Sequence, residues 1–171
     1  MKSNPSNPRF FTKPHLFLAA LIAAFAGAPF QSVAADKTVP AAIDHYNLGA
    51  DKVALKGYDP VGYITKNQAL KGSKEQSAQH RGVIYYFASE ENKKLFAESP
   101  VKYVPAYGGW CATAMAKGEK VEIDPANFKI TRGRVFLFYK GLWGNALKDW
   151  NKDEANLTIK ADANWKKIAG E

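Results

Sequence analysis

One cysteine, two histidines and two aspartates set before prolines hold most of the chemistry open to this chain beyond its first thirty-five residues. Cys111, in Tyr107-Gly108-Gly109-Trp110-Cys111-Ala112, is the single cysteine of 171 residues, so no internal disulfide can form. It is a small buried hydrophobe, a reactive thiol or thiolate metal ligand, or half of an intermolecular bridge. Residues 110–117, rich in Ala and Met, read as a helix closed by Gly118, with Cys111 in its first turn. Unpaired amides and the positive end of a helix dipole lower a thiol pKa there. Gly108 and Gly109 remove side-chain bulk just before it, which lets a ligand approach the backbone. Tyr58, Tyr107 and Trp110 are candidates to line a pocket with those glycines, although aromatics at such spacing equally form core.

The partners for a metal ion are few. His80 and Asp59 are the residues that would complete a soft-metal site with Cys111, and thiolate plus imidazole suits copper. His45 is a weaker ligand, and no two of Cys111, His45 and His80 have the short spacing of a structural zinc site. His80 is also the one plausible base for a thiol nucleophile, and its place at the end of a hairpin arm equally suits a surface turn. A redox role would take Cys111 to a sulfenate or mixed disulfide and would need an external thiol partner protein, because no resolving cysteine exists. Gly-x-Ser-x-Gly, His-Glu-x-x-His and phosphate-cradling glycine loops are absent. Asp59 and Asp124 read as helix caps. The chain reads as a binding or sensing module more than an enzyme.

These residues need a compartment and a scaffold. Residues 1–35 read as a cleavable signal peptide. Lys2, Arg9 and Lys13 come without an acid, residues 16–28 are an apolar run, and Val33-Ala34-Ala35 precedes Asp36. That run is shorter than the ~20 residues that span a bilayer. The expectation is a periplasmic or secreted protein with no membrane anchor after cleavage. A lone cysteine is unusual there, since oxidising compartments favour paired ones. The full chain has 24 Lys and Arg against 16 Asp and Glu, a net charge of +8. The lysines are scattered, and beyond the leader the arginines are Arg81, Arg132 and Arg134, unlike the massed footprint of a nucleic-acid binder.

Residues 36–54 read as a polar lead-in and 55–169 as one monomeric domain. Asp59 before Pro60 starts a short helix over 60–64. Residues 77–80 and 83–87 form a hairpin turning at Arg81-Gly82. Ser89 caps a helix with Glu90 and Glu91 in its first turn, ended by Pro100. Strands follow at 121–123, 128–131 and 134–139, the last two turning at Arg132-Gly133. Residues 142–150 and 153–168 read as helices, the second with Ile159, Ala163 and Trp165 on or near one face. Short strands mixed with short helices, without βαβ alternation, make an α+β fold of small antiparallel hairpins.

Gly82, the aromatics after it, Phe87-Ala88-Ser89-Glu90-Glu91-Asn92, Phe96, Pro100 and Tyr103 stand in an order that resembles the YHS domain. The likeness is greatest to its exported members, some of whose relatives are described as selenoproteins. Gly57-Tyr58-Asp59-Pro60-Val61, the segment around Cys111, Ile123-Asp124-Pro125 and Lys160-Ala161-Asp162-Ala163-Asn164-Trp165 extend it over Leu55 to Ile168. The wider family carries thiolates in a Cys-Pro-Val-Cys or Asp-Pro-Val-Cys start and a Phe-Cys-Ser-x-x-Cys turn. This chain has Gly62, Ala88 and Asn92 at those positions, so the family's metal cluster is not expected here. Selenocysteine in the described relatives matches the position of Cys111, which implies a redox or ligand role for it. The resulting expectations are soft-metal (copper) binding or handling through Cys111, His80 and Asp59; thiol redox at Cys111; or a non-catalytic interaction domain with a structural cysteine.

Overall fold

The computed structural model describes residues 43–49 and 51–170. The segment expected to be a signal peptide and the first residues of the expected lead-in lie outside them. The described residues form an α+β fold of six short α-helices and three two-stranded antiparallel sheets.

Asp59 organises its first half. Its Oδ1 accepts from the amides of Val61 (2.8 Å) and Gly62 (3.3 Å), and Pro60 fills the first turn, so helix α1 (Pro60–Lys66) starts here. Its Oδ2 accepts from the Ala88 amide (2.8 Å) and from Asn92 Nδ2 (2.6 Å), about thirty residues further on. Strands β1 (Ser73–His80) and β2 (Val83–Phe87) lie between, with a bulge between Ser73 and Ser77. They turn at Arg81-Gly82, where both residues have positive φ, the twist-matched type I′ geometry. Val83, Tyr85 and Phe87 point inward and are buried. They meet helix α2 (Glu90–Glu98), capped by Ser89 Oγ, which accepts from the Asn92 amide at 3.2 Å. Phe96 of α2 packs against the rings of Tyr85 and Phe87. Pro100 does more than end that helix, for it opens α3 (Pro100–Tyr103).

The second hairpin repeats the device. β3 (Asp124–Thr131) and β4 (Arg134–Phe138) turn at Arg132-Gly133, again with two positive φ values. Val135 and Leu137 of β4 enter one apolar cluster with Tyr63, Phe87, Phe96 and Cys111. Phe136 and Phe138 enter another with Met115, Trp150, Ala161 and Trp165. One strand thus feeds two cores by simple alternation.

Several sequence expectations need correction. The expected helix over 110–117 contracts to α4 (Ala112–Met115), because Tyr107 and Gly108 take left-handed φ and Cys111 is extended (φ −59°, ψ 119°). Residues 121–123 form no strand; Val121 instead accepts from the Cys111 amide at 3.0 Å. Asp124 caps no helix, and its Oδ1 makes a local turn with the Ala126 amide in β3. Residues 142–145 are not helical. They belong to a miniature hairpin of β5 (Lys140–Gly141) and β6 (Gly144–Asn145), with Leu142 and Trp143 exposed at its tip. Asn145 then caps α5 (Ala146–Trp150). In α6 (Glu154–Ala169) Ile159 and Ala163 face solvent, while Leu157, Ala161, Trp165 and Ile168 form the packed stripe. The lead-in is part of the fold from Ile43 onward: the Asn47 amide donates to the Gly108 carbonyl (2.9 Å), and Val53 bridges Ile84. Among the described residues no helix is long and apolar enough to cross a membrane.

Because Asp59 is fully buried and accepts four hydrogen bonds, Asp59→Asn is expected to cost about 2–4 kcal/mol of unfolding free energy. Asn92→Ala is expected to cost about 1–3 kcal/mol, with a double-mutant coupling of at least about 1 kcal/mol in urea denaturation. Additive losses would show that the two side chains are not one clamp.

Candidate functional site

Cys111 lies in the interior. It is 1% exposed and belongs to the first apolar cluster. Its amide is bonded to Val121, its carbonyl accepts from Met115 (2.9 Å), and its backbone bridges Leu137. The helix it precedes is one turn long, so the dipole argument for a thiolate loses its basis.

The other two proposed ligands sit elsewhere. Asp59 spends both oxygens on four N–H donors, about the whole acceptor capacity of a carboxylate. His80, half-buried at the end of β1, presents an edge-to-face contact to Phe96 with centroids 6.1 Å apart. Among the described residues, no group of three or more His, Cys, Asp or Glu side chains is placed to hold a metal ion. His45 Nδ1 lies 3.3 Å from Lys120 Nζ, and its carbonyl accepts from Trp110 Nε1.

The aromatics and glycines chosen as pocket-lining separate as well. Tyr58 lies under Lys71, Trp110 lies near Lys120, and the Gly109 carbonyl accepts from Asn47 Nδ2. Tyr107 and Gly108 do line a cavity, but Cys111 does not. It is an open cleft of about 770 Å³. Both hairpin turns reach it, bringing His80 and Arg81 from the first and Gly133 and Arg134 from the second. Helix α6 contributes Asp162, Trp165 and Lys166.

The chain around Gly108 is shaped for this cleft. Gly108 has φ +57°, and a Cβ there would stand 2.7 Å from Trp165 Cη2 and 3.0 Å from Tyr46 Cγ. Glycine is required on both counts. Tyr46 and Trp165 meet edge to face beside it, with centroids 5.6 Å apart. A polar cluster forms part of the same cleft. Arg134 grips Asp162 with two bonds, Nη2 to Oδ1 at 2.8 Å and Nη1 to Oδ2 at 3.2 Å. The Tyr107 hydroxyl donates to Asp162 Oδ1 at 2.9 Å. The Arg134 guanidinium also lies over the rings of Tyr107 and Phe136. Burial works to raise the Asp162 pKa, but the bonds from Arg134 and Tyr107 outweigh it and hold the carboxyl below its usual range. Burial first, and then the bond to Asp162, push the Tyr107 phenol well above its ordinary value.

Sequence reasoning missed this cluster. Trp165 is expected on one face of a helix, Asp162 stands in a segment noted for its resemblance, and Arg134 opens a strand, but nothing in the sequence joins the three. Their meeting with Tyr107 is a tertiary fact with no periodicity to announce it. Comparisons with family models, curated proteins and solved structures find no match to this chain.

The lowered Asp162 pKa has a definite sign. Its stabilisation is fully present above the unfolded carboxyl value of 3.8 and is lost as pH falls through the lower folded value. Thermal melts across the acid range are expected to show Asp162→Asn with a shallower loss of stability below about pH 4 than the parent protein. Parallel acid slopes for the two would remove Asp162 from the account.

Proposed function

We propose that this protein is an exported YHS-type binding module whose cysteine is a core residue and whose ligand-binding face is the cleft beside Gly108. The observation that carries the YHS reading is a convergence. The Gly62 amide, the Ala88 amide and the Asn92 side chain all donate to Asp59. Those are the three positions at which the resembled family has thiolates. Residues that a metal ion would gather in that family are gathered here around a carboxylate, and the same two segments are tied together without a metal.

Copper does not fit the residues available to it. The Asp59 oxygens are committed to four donors, Cys111 is enclosed among apolar groups, and His80 belongs to the wall of the cleft. Thiol redox needs an accessible, thiolate-prone sulfur, whereas Cys111 is 1% exposed. A binding role suits the cleft better than a catalytic one. Among the described residues it is lined by no Ser, Thr or Cys nucleophile, and its one carboxylate is held by Arg134 and Tyr107. The leader sequence supports export.

Iodoacetamide should label Cys111 slowly in the native protein and rapidly in urea, and copper(I) titration should be unchanged by Cys111→Ala. Rapid native labelling, or copper(I) binding that vanishes in Cys111→Ala, would return the functional site to the sulfur. Protein recovered from the cell envelope is expected to begin at Asp36 by intact mass. Retention of the leader there would contradict export by cleavage.

A further inference from the structure

The cleft beside Gly108 is unusual in its charge. Among the described residues four cations line it, Arg81, Lys102, Arg134 and Lys166, against one carboxylate, Asp162. That carboxylate is already matched by Arg134, and Lys102 and Lys166 add positive charge beside the pair. Two of the three arginines beyond the leader are gathered here, in a chain whose basic residues are otherwise dispersed. A concave surface of one sign concentrates the opposite charge, because its low-dielectric walls focus the field.

Much of the rest of the lining is apolar, with His80 beside it. Half-buried Tyr46 and Val104 supply apolar surface, backed by the buried Trp165, Tyr107 and Pro105. Val101, also in the lining, is 70% exposed and places an apolar side chain in reach of a ligand. The volume of about 770 Å³ falls within the range of small-molecule sites. Cations beside aromatic walls at this scale select by two criteria at once. The head must be anionic, and the body must bury apolar area.

From this we infer that the cleft binds a small organic anion, with a carboxylate- or sulfonate-like head on a planar or apolar body. Lys102 and Lys166 draw the head, and the body lies against Tyr46, Val101 and Val104. Arg134 has a second role. Its fork is held by Asp162, so the pair forms a fixed polar wall beside Lys102 and Lys166. The inference rests on the cleft being the binding face.

The test uses the purified protein and two dyes with the same ring system, 8-anilinonaphthalene-1-sulfonate and the uncharged N-phenyl-1-naphthylamine. Fluorescence titration is expected to give saturable binding of the sulfonate at a single site, about tenfold tighter than the neutral dye. Lys102→Glu/Lys166→Glu, two exposed positions, should weaken sulfonate binding by about tenfold or more and leave the neutral dye unaffected. Amide NMR shifts should concentrate at Lys102, Gly108 and Lys166, and sharp spectra of the double variant confirm that it is folded. Equal affinity for both dyes, or a double variant that binds the sulfonate like the parent, overturns the anion inference. If the neutral dye alone moves those amides, the cleft stands as a binding face and the anion class falls. If neither dye moves them, both readings fall.

Discussion

A buried carboxylate with four nitrogen donors is the constraint on which the first half of this fold depends. Asp59 is fully buried, so its negative charge is tolerable only while each oxygen is held. Its donors come from the first turn of α1, from Ala88 just after β2 and from Asn92 inside α2. The charge therefore specifies how three elements meet, and not merely how one helix begins. An apolar residue there would leave the same amides unpaired in the interior, a cost of roughly 1–3 kcal/mol for each stranded group.

The second half is organised by a strand. β4 has four consecutive buried side chains after Arg134, which reads as a strand covered on both faces. Its odd positions complete the core built by Asp59 and the first hairpin, and its even positions create a separate aromatic core with α5 and α6. Each fully buried side chain of this size contributes about 1.5–3 kcal/mol. That is enough for β4 to hold two cores together, whereas its partner β3 is only partly covered. Arg134 at the start of the strand is the exposed end of that wall, which is why it stands at the edge of the cleft.

Local signals made much of the fold legible. Asp-Pro marked α1, Ser-Glu-Glu marked α2, and Arg-Gly between β-formers marked both hairpins, because each is a hydrogen bond or φ preference confined to a few residues. The failures share a cause. Residues 110–117 have helical composition, but tertiary pairing of Cys111 with Val121 and Leu137 holds the chain extended at its start. Residues 142–145 have helix-forming neighbours, yet Gly141 and Gly144 flank the pair at a two-residue turn. Ile159 looks like a core residue by type, and only the direction of Ala161 and Trp165 shows that it cannot be. The cleft was the least legible feature, since Arg81, Lys102, Arg134, Asp162 and Lys166 share no motif or period.

The lone sulfur and the cleft are nonetheless two outcomes of one backbone event. Between Ala106 and Cys111 the chain takes three successive residues of positive φ, Tyr107, Gly108 and Gly109, before it turns extended. The first turns the Tyr107 ring toward Phe136 and its hydroxyl toward Asp162. The second brings bare backbone against Trp165 and Tyr46, and its carbonyl takes the Asn47 amide. By Cys111 the chain has crossed to the other core, where the amide meets Val121 and the side chain joins Val135 and Leu137. A side chain at position 108 would close the approach to Trp165, and a straight helix over these residues would break both sets of contacts. The glycines before the cysteine thus matter less for exposing a thiol than for letting one short segment line a cleft and then seal a core.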